Sequence, residues 1–344
     1  MFELIKTLTE LPGPVGQEGA VLDYIEDLWQ AEGADTERTL VGNVLARLGG
    51  QGRKLLLVAH ADELCYLVRA IDEQGFIWLA NGQAWTRTTP MRNSFTIGQR
   101  VQVLGRAETI PGVIGTVTGH MATLTQAELN QLTWNDFWVD TGLSRAELLA
   151  KGVTPGTRII WQATTEQFGP HVVGKALDDR ALLAVLTEVL RRTEPDQLGW
   201  QVTLGCTVQE EIGLVGASAL GAFEEFDAAI VLEIGLAGDI PGVNERDMPT
   251  RLGAGPILVH KDARVHYDHA LTMALEETAA EANIPIQHAV FGSFGSDGGA
   301  LMGADVPSAL VAFPARYTHT PFETAHLADI EALVAWLCAF ISKA

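Results

Sequence analysis

Four apolar runs of strand length constrain what this chain can fold into more than any other feature. They are Lys54 to Ala59, Gln201 to Val208, Ala228 to Ile234 and Ser308 to Phe313. The first run, KLLLVA, is continuously apolar, which is typical of a central strand buried on both faces of a sheet. Predicted helices alternate with these strands, so the sequence predicts an α/β fold with a mainly parallel central sheet flanked by helices.

Two adjacent carboxylates, Glu210 and Glu211, directly follow the second run. Adjacent residues on a strand point to opposite faces, so one carboxylate can bind a metal while the other faces a bound water. Metal-assisted hydrolysis requires that division between a ligand and a general base. An isolated pair of glutamates is more often a pair of surface residues on a turn, so the interpretation depends on what lies near the pair.

Other acids and histidines also stand at or near the ends of predicted strands or beside a predicted helix. They are His60, Asp62, Asp178, Asp179, Glu233 and His319. Ligand sites in such sheets form at the carboxyl ends of the strands, so we expect these side chains to converge. Imidazole and carboxylate groups are the ligands of two-metal hydrolases.

Each of these residues also has a structural interpretation when it is taken alone. His60 can be a hydrogen-bonded core histidine, and Asp179 can be a helix N-cap. Glu233 is harder to explain in this way, because a lone carboxylate in an apolar strand is costly unless it is paired or bound to metal. The chain contains no GxSxG, P-loop, GxGxxG or HExxH motif that would indicate another chemistry.

The composition is acidic and limits the partners. The 344 residues include 43 Asp and Glu against 23 Lys and Arg, a formal charge of -20. Such a surface repels phosphate backbones and anionic lipids, so we expect neither a nucleic-acid nor a membrane partner. Three widely spaced cysteines form no metal-binding or disulfide pattern, and they favour a cytoplasmic protein.

The texture of the sequence changes between residues 68 and 162. Short β-like segments separated by glycine-containing turns replace the alternation of helices and strands. We therefore expect a discontinuous catalytic domain, 1–67 and 163–344, that carries an inserted β module at 68–162. Helices are predicted on both sides of Pro12 within residues 1–32, and over 180–192, 264–282 and 327–342.

Five motifs resemble those of the M42 metallo-aminopeptidases, the glutamyl and leucyl aminopeptidases that assemble as tetrahedral dodecamers. They are AHADE (59–63), GKALDDR (174–180), VQEEIGLVG (208–216), FGSDGG (294–299) and ARYTHTPFE (315–323). The resemblance extends from the first helix to the last. It implies a zinc-exopeptidase-like fold, an inserted β-barrel-like domain that serves assembly, peptide substrates and a homo-oligomer.

The resemblance also implies a role for each site residue. His60, Asp178 and Glu233 would hold one divalent ion, and Asp178, Glu211 and His319 the other, with zinc or cobalt placed before manganese. Glu210 would be the general base, and Asp62 would orient His60. The peptide bond between Asp178 and Asp179 would be cis. Two departures from the family pattern are Glu233, where Asp is common, and Leu64 after AHADE, where Gly is usual.

The predicted reaction is removal of the N-terminal residue from peptides by metal-activated water. Alternatives on the same metal scaffold are a deacylase or a carboxypeptidase. Paired carboxylates also serve glycoside hydrolases, and an assembly or metal-storage protein with an idle site is a non-enzymatic alternative. His120, within the inserted module, is interpreted as a structural histidine or one that faces a neighbouring site.

Overall fold

The contacts within the chain divide it into two units. The computed structural model describes residues 1–82, 96–117 and 136–343. One unit, here called the sheet unit, comprises Met1–Glu63, Thr164–Thr318 and Phe322–Ala344. The other, the barrel unit, comprises Leu64–Ala163 and His319–Pro321.

The helices alternate with strands along the chain, as predicted. Those of the described residues are α1 (Phe2–Glu10), α2 (Gly19–Ala31), α3 (Arg145–Ala150), α4 (Leu177–Arg192), α5 (Val215–Phe223), α6 (His269–Glu281), α7 (Asp297–Gly303) and α8 (Leu327–Ile341). Within the described ranges, no helix combines the length and the apolar character needed to cross a membrane.

The strands of the sheet unit form one mixed sheet. They are β1 (Asp35–Arg38), β2 (Val44–Gly49), β3 (Lys54–His60), β10 (Glu166–Phe168), β11 (His171–Gly174), β12 (Gln201–Thr207), β13 (Ala228–Leu236), β14 (Ile257–Lys261), β15 (Gln287–Val290), β16 (Ser308–Arg316) and β17 (Glu323–His326). Their order is β1-β2-β12-β3-β13-β16-β17-β11-β10, and β14 pairs with β16 and β15.

The four apolar runs became the centre of this sheet. β12, β3, β13 and β16 are neighbours and run parallel, whereas β2 and β17 pair with them antiparallel. Side chains of β3 alternate between two apolar layers, with Leu55 and Leu57 in one and Leu56 and Val58 in the other. The prediction of a strand buried on both faces is confirmed, and so is the α/β fold class.

The two apolar layers are covered by different helices. The larger layer packs the strands against α1, α2, α4, α6 and α8, and the smaller layer packs them against α5 and α7. Helix α5 is rich in Gly, Ala and Ser and was not predicted, because it lacks a clear apolar period.

One predicted helix begins later than expected. The pattern predicted a helix from Arg264, but α6 starts at His269 with Asp268 as its N-cap. The Asp262 carboxylate accepts hydrogen bonds from the Arg264 and Val265 amides, which fixes a turn in place of the first helical turn. Local side-chain hydrogen bonds of this kind compete with the helix.

The barrel unit is a closed barrel, which agrees with the predicted β-barrel-like fold. Its strands are β4 (Tyr66–Ile71), β5 (Ile77–Asn81), β6 (Arg100–Leu104), β7 (Thr109–Gly115), β8 (Trp138–Asp140) and β9 (Arg158–Trp161), in the order β4-β5-β8-β7-β6-β9. Inward residues form a separate apolar core that includes Val68, Val103 and Ile159. His120 lies outside the described residues.

Candidate active site

The carboxyl ends of β3, β12 and β13 lie at the same edge of the sheet because the strands are parallel. His60, the last residue of β3, is paired in register with Thr207, the last residue of β12. On β13, Val231 pairs with Val58, so Glu233 lies level with His60 two residues further on. The strand register therefore brings two predicted ligands to one place.

Four buried side chains form a potential metal-binding group at this edge. His60, Asp178, Asp179 and Glu233 each offer a ligand atom, and these atoms all lie within 4.8 Å of one another. His60 Nε2 is 3.0 Å from Asp178 Oδ1. Two donor atoms that share one ion at bond lengths near 2 Å lie about 3 Å apart, so this spacing suits a common ion.

Asp179 was not among the predicted ligands, and its contacts place it where it holds the backbone of His60. Its Oδ2 accepts a hydrogen bond from the His60 amide at 3.0 Å, and its Oδ1 is buried without a partner in the described part of the chain. The preceding peptide bond, Asp178–Asp179, is cis, which confirms the prediction. The local turn starts at Ala176, which has a left-handed φ of 51°.

Arg180, next to these aspartates, is fully buried and anchors the turn. Its guanidinium donates to the carbonyl oxygens of Ala61, Leu8, Leu11 and Gly13. It also donates to Glu63 Oε1 at 3.1 Å. Arg180 therefore fixes the turn to both the AHADE segment and the connection between α1 and α2.

The two glutamates of the VQEEIG motif lie in the loop after β12, and Asp62 holds that loop. Asp62 Oδ1 accepts from the Glu210 amide at 3.0 Å, and Asp62 Oδ2 accepts from the Glu211 amide at 3.1 Å. The predicted contact with the His60 ring is weaker, because Asp62 Oδ1 lies 3.5 Å from His60 Nδ1. That nitrogen has no partner with hydrogen-bond geometry among the residues described.

The remaining predicted ligands are Glu211 and His319. A carboxylate oxygen of Glu211 lies within 4.8 Å of a carboxylate oxygen of Asp178, so these two acids can reach a common ion. His319 lies in the connection between β16 and β17 with a left-handed φ of 61°. By its contacts, His319 groups with the barrel unit, and its role as a ligand stays a prediction.

The electrostatics of the buried acids indicate that a cation belongs here. Burial raises the pKa of Glu210, Glu233 and Asp179 well above the ordinary values, and neighbouring carboxylates raise each pKa further. Burial alone lowers the pKa of His60, but the neighbouring carboxylates of Asp178 and Asp62 hold it well above the ordinary value. A divalent ion would offset this concentration of negative charge.

Lysine and arginine side chains of the described residues do not supply that positive charge. Apart from His60 itself, the buried basic side chains there are Lys175 and Arg180, and both pair with Glu63, at 2.5 Å and 3.1 Å. The donor set of imidazole and carboxylates and the unpartnered Asp179 oxygen therefore fit a divalent metal.

Sequence reasoning missed Asp297 as a site residue. It lies in the FGSDGG motif, which was interpreted only as a loop of close backbone approach. A Cβ at Gly298 would lie 2.7 Å from the Tyr267 ring, so that approach is confirmed. Asp297 Oδ2 accepts the Thr207 hydroxyl at 2.6 Å, and its Oδ1 is buried without a partner in the described ranges. Burial raises the pKa of Asp297 to about 6.

Comparisons with known proteins agree with this geometry. The family model for M42 glutamyl aminopeptidase matches residues 42–335. The putative aminopeptidase FrvX of Escherichia coli K12 is 32% identical over 99% of this chain and 95% of its own length. Aminopeptidase APDkam598 of the archaeon Desulfurococcus kamchatkensis superimposes with a TM-score of 0.92 at 27% identity, over 100% of this chain and 94% of that one.

A second solved structure, the TET1 peptidase of Pyrococcus horikoshii, has a TM-score of 0.86 at 26% identity and covers 98% of both chains. That protein is described as able to assemble into a tetrahedron or a large octahedral shell. The family match, the extent of the relatives and the buried imidazole and carboxylate group lead to one conclusion. The chain belongs to the M42 family of metal-dependent aminopeptidases.

Proposed function

We propose that this chain releases the N-terminal residue of peptides with two divalent ions per subunit. His60, Asp178 and Glu233 would hold one ion, and Asp178, Glu211 and His319 would hold the other, with Asp178 shared. The observation that carries the proposal is the buried group of imidazole and carboxylates at the strand ends. It is supported by the pairing of the buried side chains of Lys175 and Arg180 with Glu63, since His60 is then the base within the group.

Glu210 is proposed as the general base. When bound, the ions would activate water and polarise the scissile carbonyl. Glu210 would accept the proton of the attacking water and return it to the leaving amine. In the metal-free protein, its burial and the carboxylates around it raise its pKa well above the ordinary value.

Asp62 would position the base. Its two oxygens accept the amides of Glu210 and Glu211, so the carboxylate fixes the backbone from which both side chains project. The contact with His60 Nδ1 at 3.5 Å would make it a secondary support for the imidazole. Asp179 supports the same histidine through the His60 amide.

The metal and the substrate class follow from the chemistry of the donors. Oxygen and imidazole ligands suit zinc, cobalt and manganese, and we place zinc and cobalt first. Acidic groups near the site would hold the free α-amine of a peptide, which would make the enzyme an exopeptidase. An acylated amine carries no positive charge, so a deacylase is the less favoured reaction on this scaffold.

The assembly is proposed from the relatives. The related TET1 peptidase forms tetrahedral and octahedral shells, and we propose a homo-oligomer for this chain, with a tetrahedral dodecamer as the preferred form and the barrel unit as an assembly element. A closed shell would admit peptides and exclude folded proteins. No disulfide joins Cys65, Cys206 and Cys338, which supports the proposed cytoplasmic location.

A panel of aminoacyl p-nitroanilides and their N-acetylated counterparts tests the proposed activity. Chelator-treated protein refilled with zinc, cobalt or manganese should cleave only the compounds with a free amine. The panel would also give the residue preference and the preferred metal. Cleavage of the acetylated compounds would indicate a deacylase, and activity that is indifferent to chelators would contradict the metal mechanism.

A further inference from the structure

The loop that carries Glu210 and Glu211 is closed at its neck by one buried side chain, Asn43. Asn43 Nδ2 donates to the Gly216 carbonyl at 2.9 Å, and Asn43 Oδ1 accepts the Val208 amide at 3.2 Å. The Gly216 amide donates in turn to the Val208 carbonyl at 2.9 Å. One fully buried carboxamide therefore joins both ends of the loop 208–216.

Asn43 reaches this place because of the strand topology. It directly precedes β2, and Val44, the first residue of β2, pairs with Cys206 near the end of β12. β2 runs antiparallel to β12, so the first residues of β2 lie beside the carboxyl end of β12. The Asn43 amide donates to Thr39 Oγ1 at 3.1 Å, which fixes the turn that presents the side chain.

The loop between the two anchored ends has a conformation that must be held. Gln209 and Leu214 have left-handed φ angles of 52° and 57°, which residues other than glycine rarely adopt without support from their surroundings. Gly216 has no room for a side chain, because a Cβ there would lie 2.4 Å from Asn43 Oδ1. The backbone of Val208 and Gly216 therefore packs closely against the Asn43 side chain.

We propose that Asn43 is a positioning residue for the general base, acting on Glu210 through the backbone of this loop. The loop has two anchors in this arrangement, since Asp62 holds the amides of Glu210 and Glu211 while Asn43 holds the neck. Asn43 is none of the proposed metal ligands, so its effect is on placement of the base. The inference rests on the proposed function, in which Glu210 is the base.

The matched pair Asn43→Ala and Thr187→Val tests this role. Each variant removes two buried side-chain hydrogen bonds of the sheet unit, since Thr187 Oγ1 accepts the Trp29 indole N–H at 3.0 Å and donates to the Leu183 carbonyl at 2.8 Å. Hydrogen exchange on metal-free protein should show faster exchange of the amides of 208–216 in Asn43→Ala and unchanged exchange there in Thr187→Val. This measurement does not depend on activity.

Steady-state kinetics supply the second readout. Asn43→Ala should lower kcat roughly 10- to 100-fold, since displacing a catalytic group by about 1 Å can cost about 10²-fold, while KM changes less than about threefold. Thr187→Val should keep kcat within about twofold, because it leaves the loop intact. Asn43→Asp retains an acceptor for the Val208 amide, so its kcat should lie between Asn43→Ala and the wild type.

The outcomes separate this inference from the proposed function. Unchanged exchange in the loop, or a kcat of Asn43→Ala no lower than that of Thr187→Val, would overturn the role of Asn43. If Asn43→Ala does not fold, wild-type kcat in Asn43→Asp together with wild-type exchange of the Gly216 segment would overturn it. Failure of the wild type to cleave any free-amine substrate would instead reject the proposed function, and the exchange result would stand by itself.

Discussion

Two neighbouring groups of buried acids, both built from the same sequence motifs, differ in how their charge is neutralised. Glu63, from AHADE, pairs with Lys175 and Arg180 and receives the Gly13 amide at 3.1 Å. Asp62, the preceding residue, belongs to the group that includes Glu210 and Glu233, in which His60 is the buried base and no buried lysine or arginine of the described chain is paired.

The difference indicates that one group of acids stabilises the fold and the other binds metal, although Asp62 and Glu63 are adjacent in the sequence. The Glu63 group is complete, because every charge has a partner and the guanidinium also satisfies four carbonyl oxygens. The charge of the second group is neutralised only when a cation is added. The cost of burying its carboxylates therefore destabilises the folded protein until an ion binds. We expect substitutions in the first group to change stability and those in the second to change activity or metal dependence.

Glu210→Gln should produce the largest change of these variants. It should lower activity and leave the metal content unchanged. The amide has the same size but cannot accept the proton, and general acid–base catalysis contributes about 10²- to 10⁴-fold. We expect kcat to fall by about 10³-fold with unchanged metal content, measured by turnover and elemental analysis. Substantial remaining activity, or lost metal, would place Glu210 in another role.

Arg180→Met should produce the largest loss of stability. It leaves Glu63 with Lys175 and the Gly13 amide and removes the donor from the carbonyl groups that bind the guanidinium. Removing one partner of a buried pair costs about 3–5 kcal/mol, which denaturant unfolding of the metal-loaded protein would measure. A loss below about 1 kcal/mol would show that the pairing is not structurally important.

Metal removal should make stability depend on pH. Glu233 and Asp179 have pKa values raised by burial and neighbouring carboxylates, so the folded metal-free protein binds more protons than the unfolded chain. The contribution of these two groups to the free energy of unfolding is then greatest below the ordinary carboxyl pKa, and it falls as pH rises through the raised values. Saturating metal should remove the fall, adding about 2.7 kcal/mol at a concentration 100-fold above Kd. Equal pH profiles for both forms would contradict this expectation.

Lys175→Met should have the smallest of these effects. Burial lowers the pKa of Lys175, and the Glu63 carboxylate, with a smaller contribution from Glu10, raises it. Arg180 and the Gly13 amide still neutralise Glu63 in the variant, so we expect a loss of about 1–3 kcal/mol. Denaturant unfolding of both variants under the same conditions would compare their losses of unfolding free energy. A larger loss for Lys175→Met than for Arg180→Met would contradict this ranking.

The sequence was sufficient for the features that depend on local pattern. Continuous apolar runs predicted β3, β12, β13 and β16, and the parallel arrangement then predicted that His60 and Glu233 would meet. The prolines at 12 and 14 correctly separated α1 from α2. These features follow from periodicity and from the geometry of parallel strands.

The rest depends on contacts between distant segments, which leave no periodic signal. Asn43 and Asp297 act through hydrogen bonds to Gly216 and Thr207, far along the chain. The antiparallel strands β11 and β17 are short, and their pairing is visible only in the folded sheet. The hydrogen bonds of Asp62 to the amides of Glu210 and Glu211 were not predicted, because an alternation of residues does not show which amides a carboxylate will accept.

The attachment of Arg180 to Leu8, Leu11 and Gly13 has a consequence for synthesis on the ribosome. The N-terminal segment leaves the ribosome first, but the residue that binds its carbonyl groups follows 172, 169 and 167 positions later. At about 5–20 residues per second, that interval is roughly 10–30 s. During this time α1 lacks α4 and β11, the later elements against which it packs in the folded chain, so we expect the N-terminal segment to stay unanchored until the turn at Arg180 emerges.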